Sequence, residues 1–280
     1  MLTPADVEVR PVARVLTRAE ADHLAGLAVT EMDVAMPTAE PCLLLDEVTA
    51  APVLAYLPMD DPAMLRQAVL ATPMTETYRA GTGITNISRT FGMSPRKPVQ
   101  WREGCAPTSL ARDEPAVMAV LTHYAQQFRD QLAALLPATV ADGHKAVSVV
   151  LPEWRLAEDA LWTSGVINRS SALPYHRDRF NFDAWSAMPV LRRGVRGGYL
   201  AIPEYGLVLP CRDGWTLYFS GYQHLHGVTP MTKIKDDGYR YSVVYYALKG
   251  MKDCFTAAVE SATAAVKRTE REVPAHKVPR

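Results

Sequence analysis

The 280-residue chain is 48% hydrophobic, enough to bury a substantial core as one large domain or two small ones. Thirty Lys and Arg balance thirty Asp and Glu, so affinity for an acidic partner must come from local clusters and not from the molecule as a whole. Cys42, Cys105, Cys211 and Cys254 stand far apart with no C-x-x-C pair, which argues against a zinc knuckle or disulfide framework and predicts four reduced thiols; with no signal-type leader and no run near the roughly 18 apolar residues of a membrane span, a cytoplasmic protein without a membrane partner is expected.

Thr17-Arg18-Ala19-Glu20 has the form of a capping box, and the Ala/Leu-rich stretch after it predicts a first helix reaching Val29. The runs 42–48 (CLLLDEV) and 52–59 (PVLAYLPM) read as two short strands, and Asp61-Pro62 opens a helix to about Ala71. Residues 81–107, GTGITNISRTFGMSPRKPVQWREGCAP, scatter Gly and Pro among Ser, Thr and Arg and read as a long functional loop with room for one strand. From Pro115 to Leu136, the three/four spacing of Val117, Val120, Leu121, Tyr124, Phe128, Leu132 and Leu135 predicts an amphipathic helix that buttresses the remainder.

After Val147 the texture changes to short β-type runs, AVSVVLP, SGVINR, GGYLAIPEYGLVLPCRDGWTLYFSG, HGVTPM and RYSVVYYAL, punctuated by Gly, Pro and Asp. Strands at this spacing without intervening helices predict a sandwich or jelly roll, not a βαβ sheet. An Ala-rich stretch from Lys252 to about Arg271 predicts a closing helix, and REVPAHKVPR a loose tail. The expectation is one α+β domain over 1–280: an N-terminal α/β cap with buttressing helices (1–146), a β core (147–250), and a C-terminal helix and tail (251–280).

The chemistry concentrates in LPYHRDRFN (173–181), QHLHGVTP (223–230) and GYRYSVVYYAL (238–248). In a strand, His176 and Asp178 are two apart and share a face, so both can converge on one ion. A second His from a later strand completes a two-His-one-carboxylate face, leaving three positions of an iron(II) octahedron open for a co-substrate and oxygen. His224 and His226 both offer that second imidazole; His226 is favoured because Gly227 allows close backbone approach and Pro230 ends the strand, which leaves His224 as a pocket residue. By alternation Arg240, Ser242, Val244 and Tyr246 face inward, and a guanidinium inside a β core requires a carboxylate, from an acidic residue of the chain or from a dicarboxylate co-substrate.

Taken together, PYHRDRFN, the run from GGYLAIPEYG to HLHGVTP, and RYSVVYYAL resemble the iron(II)/2-oxoglutarate dioxygenase superfamily and, within it, the TET/JBP group; SRTFGMSPRK (88–97) is similar to a loop of the same enzymes. The likeness spans about residues 164–248, while the first eighty residues match no such pattern. It implies a double-stranded β-helix (jelly-roll or cupin-like) core and oxidation of the 5-methyl group of cytosine or thymine in nucleic acid, whether DNA, single-stranded or duplex, or RNA. It implies Fe(II), 2-oxoglutarate and O2 as cofactor and co-substrates. It makes His176, Asp178 and His226 the iron ligands and Arg240, with Ser242, the anchor of the 2-oxoglutarate distal carboxylate. Asn181 would contact the target base and Tyr246 would stack on it, a core tyrosine being the plainer reading of Tyr246. Two departures stand out: Leu248 occupies the position where cytosine-selective members carry a base-bonding His, and their Cys-rich zinc-binding extension is missing. For a phage or viral member the cytoplasm would be that of the host cell.

Basic clusters offer phosphate contacts: Arg89, Arg96, Lys97 and Arg102, with no acidic residue between Asn86 and Arg102, then Arg192, Arg193 and Arg196, with Arg177 and Arg179 beside the metal face. Phe91, Phe180 and Trp185 are candidates for stacking or wedging, Phe180 and Trp185 also reading as packing residues. Two other classes share parts of this pattern, a small-molecule 2-oxoglutarate hydroxylase and a cupin-like binding protein.

Overall fold

The computed structural model describes residues 4–30, 40–79, 84–97, 103–169 and 172–272. The N-terminal half contains strands β1 (Glu8–Val12), β2 (Cys42–Asp46), β3 (Pro52–Pro58), β4 (Thr75–Arg79), β5 (Ile84–Ser94) and β6 (Ala106–Pro107). Its helices are α1 (Arg18–Asp22), α2 (Ala63–Ala71), α3 (Ser109–Asp113), α4 (Pro115–Leu135) and α5 (Pro137–Val147). There follow β7 (Ser164–Arg169), β8 (Leu173–His176), β9 (Ser186–Arg193), β10 (Val195–Gly197), β11 (Leu200–Ile202) and β12 (Leu207–Leu209). The chain closes with β13 (Trp215–Phe219), β14 (His226–Val228), β15 (Met231–Lys233), β16 (Tyr239–Tyr246) and α6 (Ala257–Glu272).

The result is a mixed α/β fold with a large sheet, ordered β1-β2-β3-β13-β9-β16-β7-β5-β4, and a four-stranded sheet, β12-β11-β14-β8. Apart from the parallel β1–β2 pair, the neighbours in both sheets run antiparallel. Met188, Val190, Leu217 and Phe219 of the large sheet pack on Leu200, Ile202, Leu207 and Leu209 of the small one, forming the layer between them. On its other face, Phe91, Ile167, Val243 and Tyr245 bury against Leu121, Tyr124, Phe128 and Leu132 of α4. Each such side chain contributes roughly 1.5–3 kcal/mol by leaving water, and the Tyr245 hydroxyl donates to Leu121 O at 3.1 Å, so burial leaves it satisfied. The helix expected to buttress the sheet lies where its apolar stripe dictates. The N-terminal half, expected as a cap, supplies both edges of the large sheet, β1–β3 at one side and β4–β5 at the other.

Several expectations are corrected. The capping box at Thr17 and Glu20 forms, but α1 stops at Asp22 instead of Val29: Gly26, at φ +86°, turns the chain, donates its N–H to Tyr175 O, and lets Val29 pack with Tyr175. AVSVVLP is not a strand, because α5 runs through Val147; Val147 and Val150 are buried while Ser148 and Val149 are exposed, a three-residue spacing. The one strand expected within 81–107 forms over residues 84–94 and takes up eleven residues of what was read as mainly loop. Arg192 and Arg193, expected as part of a basic cluster, end strand β9 in the middle of the sheet. The closing helix begins at Ala257, and residues 273–280 of the expected tail lie outside the described residues.

The cysteine expectation is half overturned. Cys42 and Cys211 are buried thiols outside any disulfide, but Cys105 and Cys254 form a disulfide across 149 residues of sequence. The hairpin ending in β6 and the segment before α6 meet in a small cluster with Val150, Trp154 and Met251, a proximity that spacing alone does not reveal. The buried Glu260 fixes the same junction, accepting from the Cys105 and Phe255 N–H groups at 2.8 Å each and pairing with Arg96 at 3.1 Å. Among the described residues no helix is long and apolar enough to cross a membrane. Cross-linking a loop of this length removes conformational freedom from the unfolded chain, so the Cys105→Ser/Cys254→Ser variant is expected to unfold with a stability lower by roughly 2–4 kcal/mol in a denaturant titration. Indistinguishable midpoints for the variant and the oxidised wild type would contradict the cross-link.

Candidate active site

β8 and β14 pair so that His226 lies directly opposite His176, and their ring centroids are 4.4 Å apart. Cross-strand partners project from one face, which is why two histidines so distant in sequence meet. β8 ends at His176, and Asp178 follows in a turn anchored by its N–H donating to Gly221 O at 2.9 Å. The Asp178 carboxylate then reaches both rings, Oδ1 at 3.8 Å from His176 Nε2 and Oδ2 at 3.9 Å from His226 Nε2. One donor atom from each of the three residues lies within 4.8 Å of the others. The Nδ1 atoms sit 2.8 Å from Pro174 O and 3.0 Å from His224 O. A carbonyl only accepts, so each Nδ1 carries the proton and donates, leaving the Nε2 lone pair for an ion. Burial, then the neighbouring His176, pushes the His226 pKa down, which keeps that ring neutral. Gly221 leaves the clearance: a Cβ there would stand 2.6 Å from Asp178 Oδ2 and 3.1 Å from His226 Cε1.

Arg240 is the second element of the site. Its side chain is among the largest fully buried ones, and its Nε and Nη2 have no hydrogen-bond partner. Gly198, at φ +68°, makes room for it, since a Cβ there would stand 2.7 Å from Arg240 Cδ. Its cross-strand neighbour Arg192 spends its guanidinium on carbonyl oxygens of Pro210, Cys211, Val195 and Gly197, which bring no countercharge. No ion pair to Arg240 forms among the described residues, and burial lowers its pKa. A buried charge in this state is destabilising by several kcal/mol unless an anion completes it. The orphaned donors therefore fit a carboxylate, and the two-His-one-carboxylate set fits iron(II); together the residues fit iron with a 2-oxo dicarboxylate.

A cavity of about 420 Å³ lies between the two sheets. His176, Asp178 and His226 line it, as do Ser242, Val244 and Tyr246 from the strand that carries Arg240, matching the alternation expected for β16. Asn181 also lines it, buried, its backbone held to Asp178 O and bridged to Leu248. The opposite wall is polar: Ser88 and Thr90 of β5 and Asn168 of β7, with Asn86 Nδ2 donating to Asn168 Oδ1 at 3.2 Å. These wall residues escaped the sequence reading, although Asn86, Ser88 and Thr90 alternate with Ile87, Arg89 and Phe91 in the period of a strand.

Other candidates lie elsewhere. His224 precedes β14 in a turn, so alternation does not carry it to the metal face. It stands edge-on to Tyr205 with centroids 5.6 Å apart and lines a separate cavity of about 190 Å³ with Arg14, Arg18 and Glu204. Burial there holds its pKa down to about 4. Arg89 projects from β5 on the side opposite Ser88 and Thr90, toward the helical layer where its pairing partner Ile167 is buried. Arg96 is committed to Glu260 and the Asp253 carbonyl. Arg177, with a side chain only 2% exposed, is tied to Asp22, Glu204 and the Gln223 carbonyl, and Arg193 pairs with Asp237. Lys97 and Arg179, both exposed, line the cavity mouth, and Arg102 lies outside the described residues. Of the three aromatics, Phe91 and Trp185 are buried in the helix-side core and Phe180 is 82% exposed.

No protein-family model matches the chain, and no curated protein matches it in sequence. Solved structures do. NgTET1 in complex with 5mC DNA superposes with a TM-score of 0.58 at 14% identity, covering 87% of this chain and 89% of that one. An oxidoreductase of the 2OG-Fe(II) oxygenase family from Burkholderia pseudomallei gives a TM-score of 0.42 at 18% identity over 70% of this chain and 88% of that one. OsALKBH1 gives 0.41 at 13% identity over 70% and 97%. The chain shares the fold of NgTET1.

Because Arg240 is buried with two donors unpartnered and no ion pair, Arg240→Met is expected to raise the thermal unfolding midpoint of the ligand-free protein while weakening 2-oxoglutarate binding about 10- to 100-fold by calorimetry. A lowered midpoint would mean that the guanidinium has a partner within the protein. His226→Ala is expected to abolish binding of iron(II), or of cobalt(II) as its spectroscopic substitute, whereas His224→Ala retains it; equal loss in both would overturn the assignment of His226.

Proposed function

We propose that this protein is an iron(II)- and 2-oxoglutarate-dependent oxygenase, built on a double-stranded β-helix core, that oxidises the 5-methyl group of a pyrimidine base in nucleic acid. The observation that carries the enzyme class is a buried guanidinium without an ion pair, on the same strand face as residues of a cavity that also holds two imidazoles and a carboxylate. The likeness to NgTET1, solved with 5mC DNA, supports the nucleic-acid substrate, as do Lys97 and Arg179 at the mouth. When bound, the iron and 2-oxoglutarate supply the oxidising chemistry, in which O2 converts 2-oxoglutarate to succinate and CO2 and a methyl C–H to C–OH.

The chain's own contribution is placement. His176, Asp178 and His226 hold the ion from one side, and the carbonyls of Pro174 and His224 fix the imidazole tautomers that allow it. Arg240 and Ser242 take the distal carboxylate of 2-oxoglutarate, and that charge pair orients the co-substrate. Asn181 presents an amide able both to donate and to accept, the requirement for reading the edge of a base, and Tyr246 offers a ring for stacking. The Leu248 side chain offers no hydrogen bond at the wall next to Asn181, so base selection falls to Asn181 and the polar groups of β5 and β7.

A second reading, a small-molecule 2-oxoglutarate hydroxylase, is favoured by one observation: Arg96, Arg177, Arg192 and Arg193 are engaged within the protein, which thins the basic rim. Incubation with oligonucleotides carrying 5-methylcytosine or thymine, plus iron(II), 2-oxoglutarate and O2, followed by nucleoside mass spectrometry, separates the two. A 5-hydroxymethyl nucleoside formed in step with succinate is expected. Succinate released by a metabolite extract, with no change in any nucleoside, would replace the first reading with the second.

A further inference from the structure

Phe180 stands between metal ligand Asp178 and Asn181, and it is 82% exposed although a phenylalanine gains by burial. The turn that carries it is well held: Asn181 N–H donates to Asp178 O, Arg179 N–H to Arg177 O, and Lys249 N–H to Phe180 O at 2.8 Å, while Asn181 bridges to Leu248. The ring thus projects into water from a backbone pinned both to the metal site and to the segment after β16. Phe180, Arg179 and Lys97 all line the mouth of the cavity that holds the triad. Arg179 and Lys97 are exposed, and neither side chain is engaged in a hydrogen bond or ion pair among the described residues. Lys249 adds a further positive charge, its Nζ 3.8 Å above the Tyr222 ring.

We infer that Phe180 is a gap-filling wedge for duplex nucleic acid: with the target base turned into the cavity, its ring takes the vacated place in the base stack while Arg179 holds a neighbouring phosphate. The inference rests on the nucleic-acid reading given above. A cavity between two sheets admits a base only once it has left the helix, and unstacking it from a duplex is unfavourable. An apolar side chain inserted at the base step offsets that loss, and cations beside it meet the backbone. A single strand leaves no paired stack to refill, so the wedge matters there far less. The position fits, because the ring is two residues from Asp178 and one from Asn181.

Phe180→Ala is compared with wild type on duplex and single-stranded oligonucleotides containing one 5-methylcytosine. The ratio of duplex to single-strand kcat/KM is expected to fall about 10- to 100-fold, the size of one lost base–aromatic stack, and Phe180→Trp is expected to restore most of it. A second readout needs no turnover: without iron or 2-oxoglutarate, 2-aminopurine at the target position of a duplex brightens on binding wild type and the Phe180→Trp variant but not the Phe180→Ala variant. Equal losses on both substrates, or equal brightening with Phe180→Ala, would overturn the wedge and leave the nucleic-acid reading intact. Wild-type protein that neither hydroxylates nor binds either oligonucleotide would overturn both.

Discussion

The antiparallel pairing of β8 with β14 is the constraint on which the site depends. It sets His226 opposite His176, and because one face of a strand pair is shared, the two Nε2 atoms converge without help from a flexible loop. A slip of one residue would send one imidazole to the other side of the sheet and destroy the set. Several features hold the register: the turn from Asp178 is anchored on Gly221, Arg177 is clamped between Asp22 and Glu204 behind the metal face, and the Leu225 N–H donates to the same Glu204 at 2.8 Å. The buried Arg177–Glu204 pair thus serves geometry more than charge. It ties the residue between His176 and Asp178 to Glu204, which also holds the Leu225 N–H just before His226.

Arg240 shows the opposite use of a buried guanidinium. Arg177 has two carboxylates and a carbonyl, whereas Arg240 has no ion pair among the described residues, although it lies on a central strand of the large sheet. A fold under selection for stability alone would place an aliphatic residue there. The unmet charge is tolerated because the surrounding layer is broad: Met188, Leu200 and Phe219 on one side and the α4-backed core on the other already commit the strand to its position. A buried guanidinium two residues before Ser242, which lines the cavity of the three convergent ligand atoms, is the pattern of a site that a bound anion completes.

Much of this arrangement was legible in the chain. H-x-D, H-G and R-x-S name residues whose chemistry is specific, and alternation along 242–246 gives the cavity-lining Ser242, Val244 and Tyr246 of β16. The misreadings have physical causes. Alternation failed at His224 because the strand starts only at His226, so a turn, and not a pleat, sets the direction of the earlier ring. β9 went unread because Pro189, which lacks an N–H, ordinarily argues against a central strand, yet here it sits opposite Thr216 between two partners. The basic rim was overcounted because sequence shows charges but not their partners: Arg177, Arg192 and Arg96 look alike as letters and prove to be internal struts. The Cys105–Cys254 bond was invisible for the same reason, being a contact between distant segments.

A chain with no net charge and a cavity lined by His176, Asp178 and His226 fits a protein that relies on local geometry instead of bulk electrostatics. The central claim is that His176, Asp178 and His226 hold iron(II) while Arg240 holds a dicarboxylate beside it. The most direct test is anaerobic absorption spectroscopy of the protein with iron(II), titrated with 2-oxoglutarate. The account predicts that the visible charge-transfer band of an iron(II)–2-oxo acid chelate develops to one equivalent per chain. A protein that takes up iron but gives no such band at saturating 2-oxoglutarate, or takes up no iron at all, would contradict it.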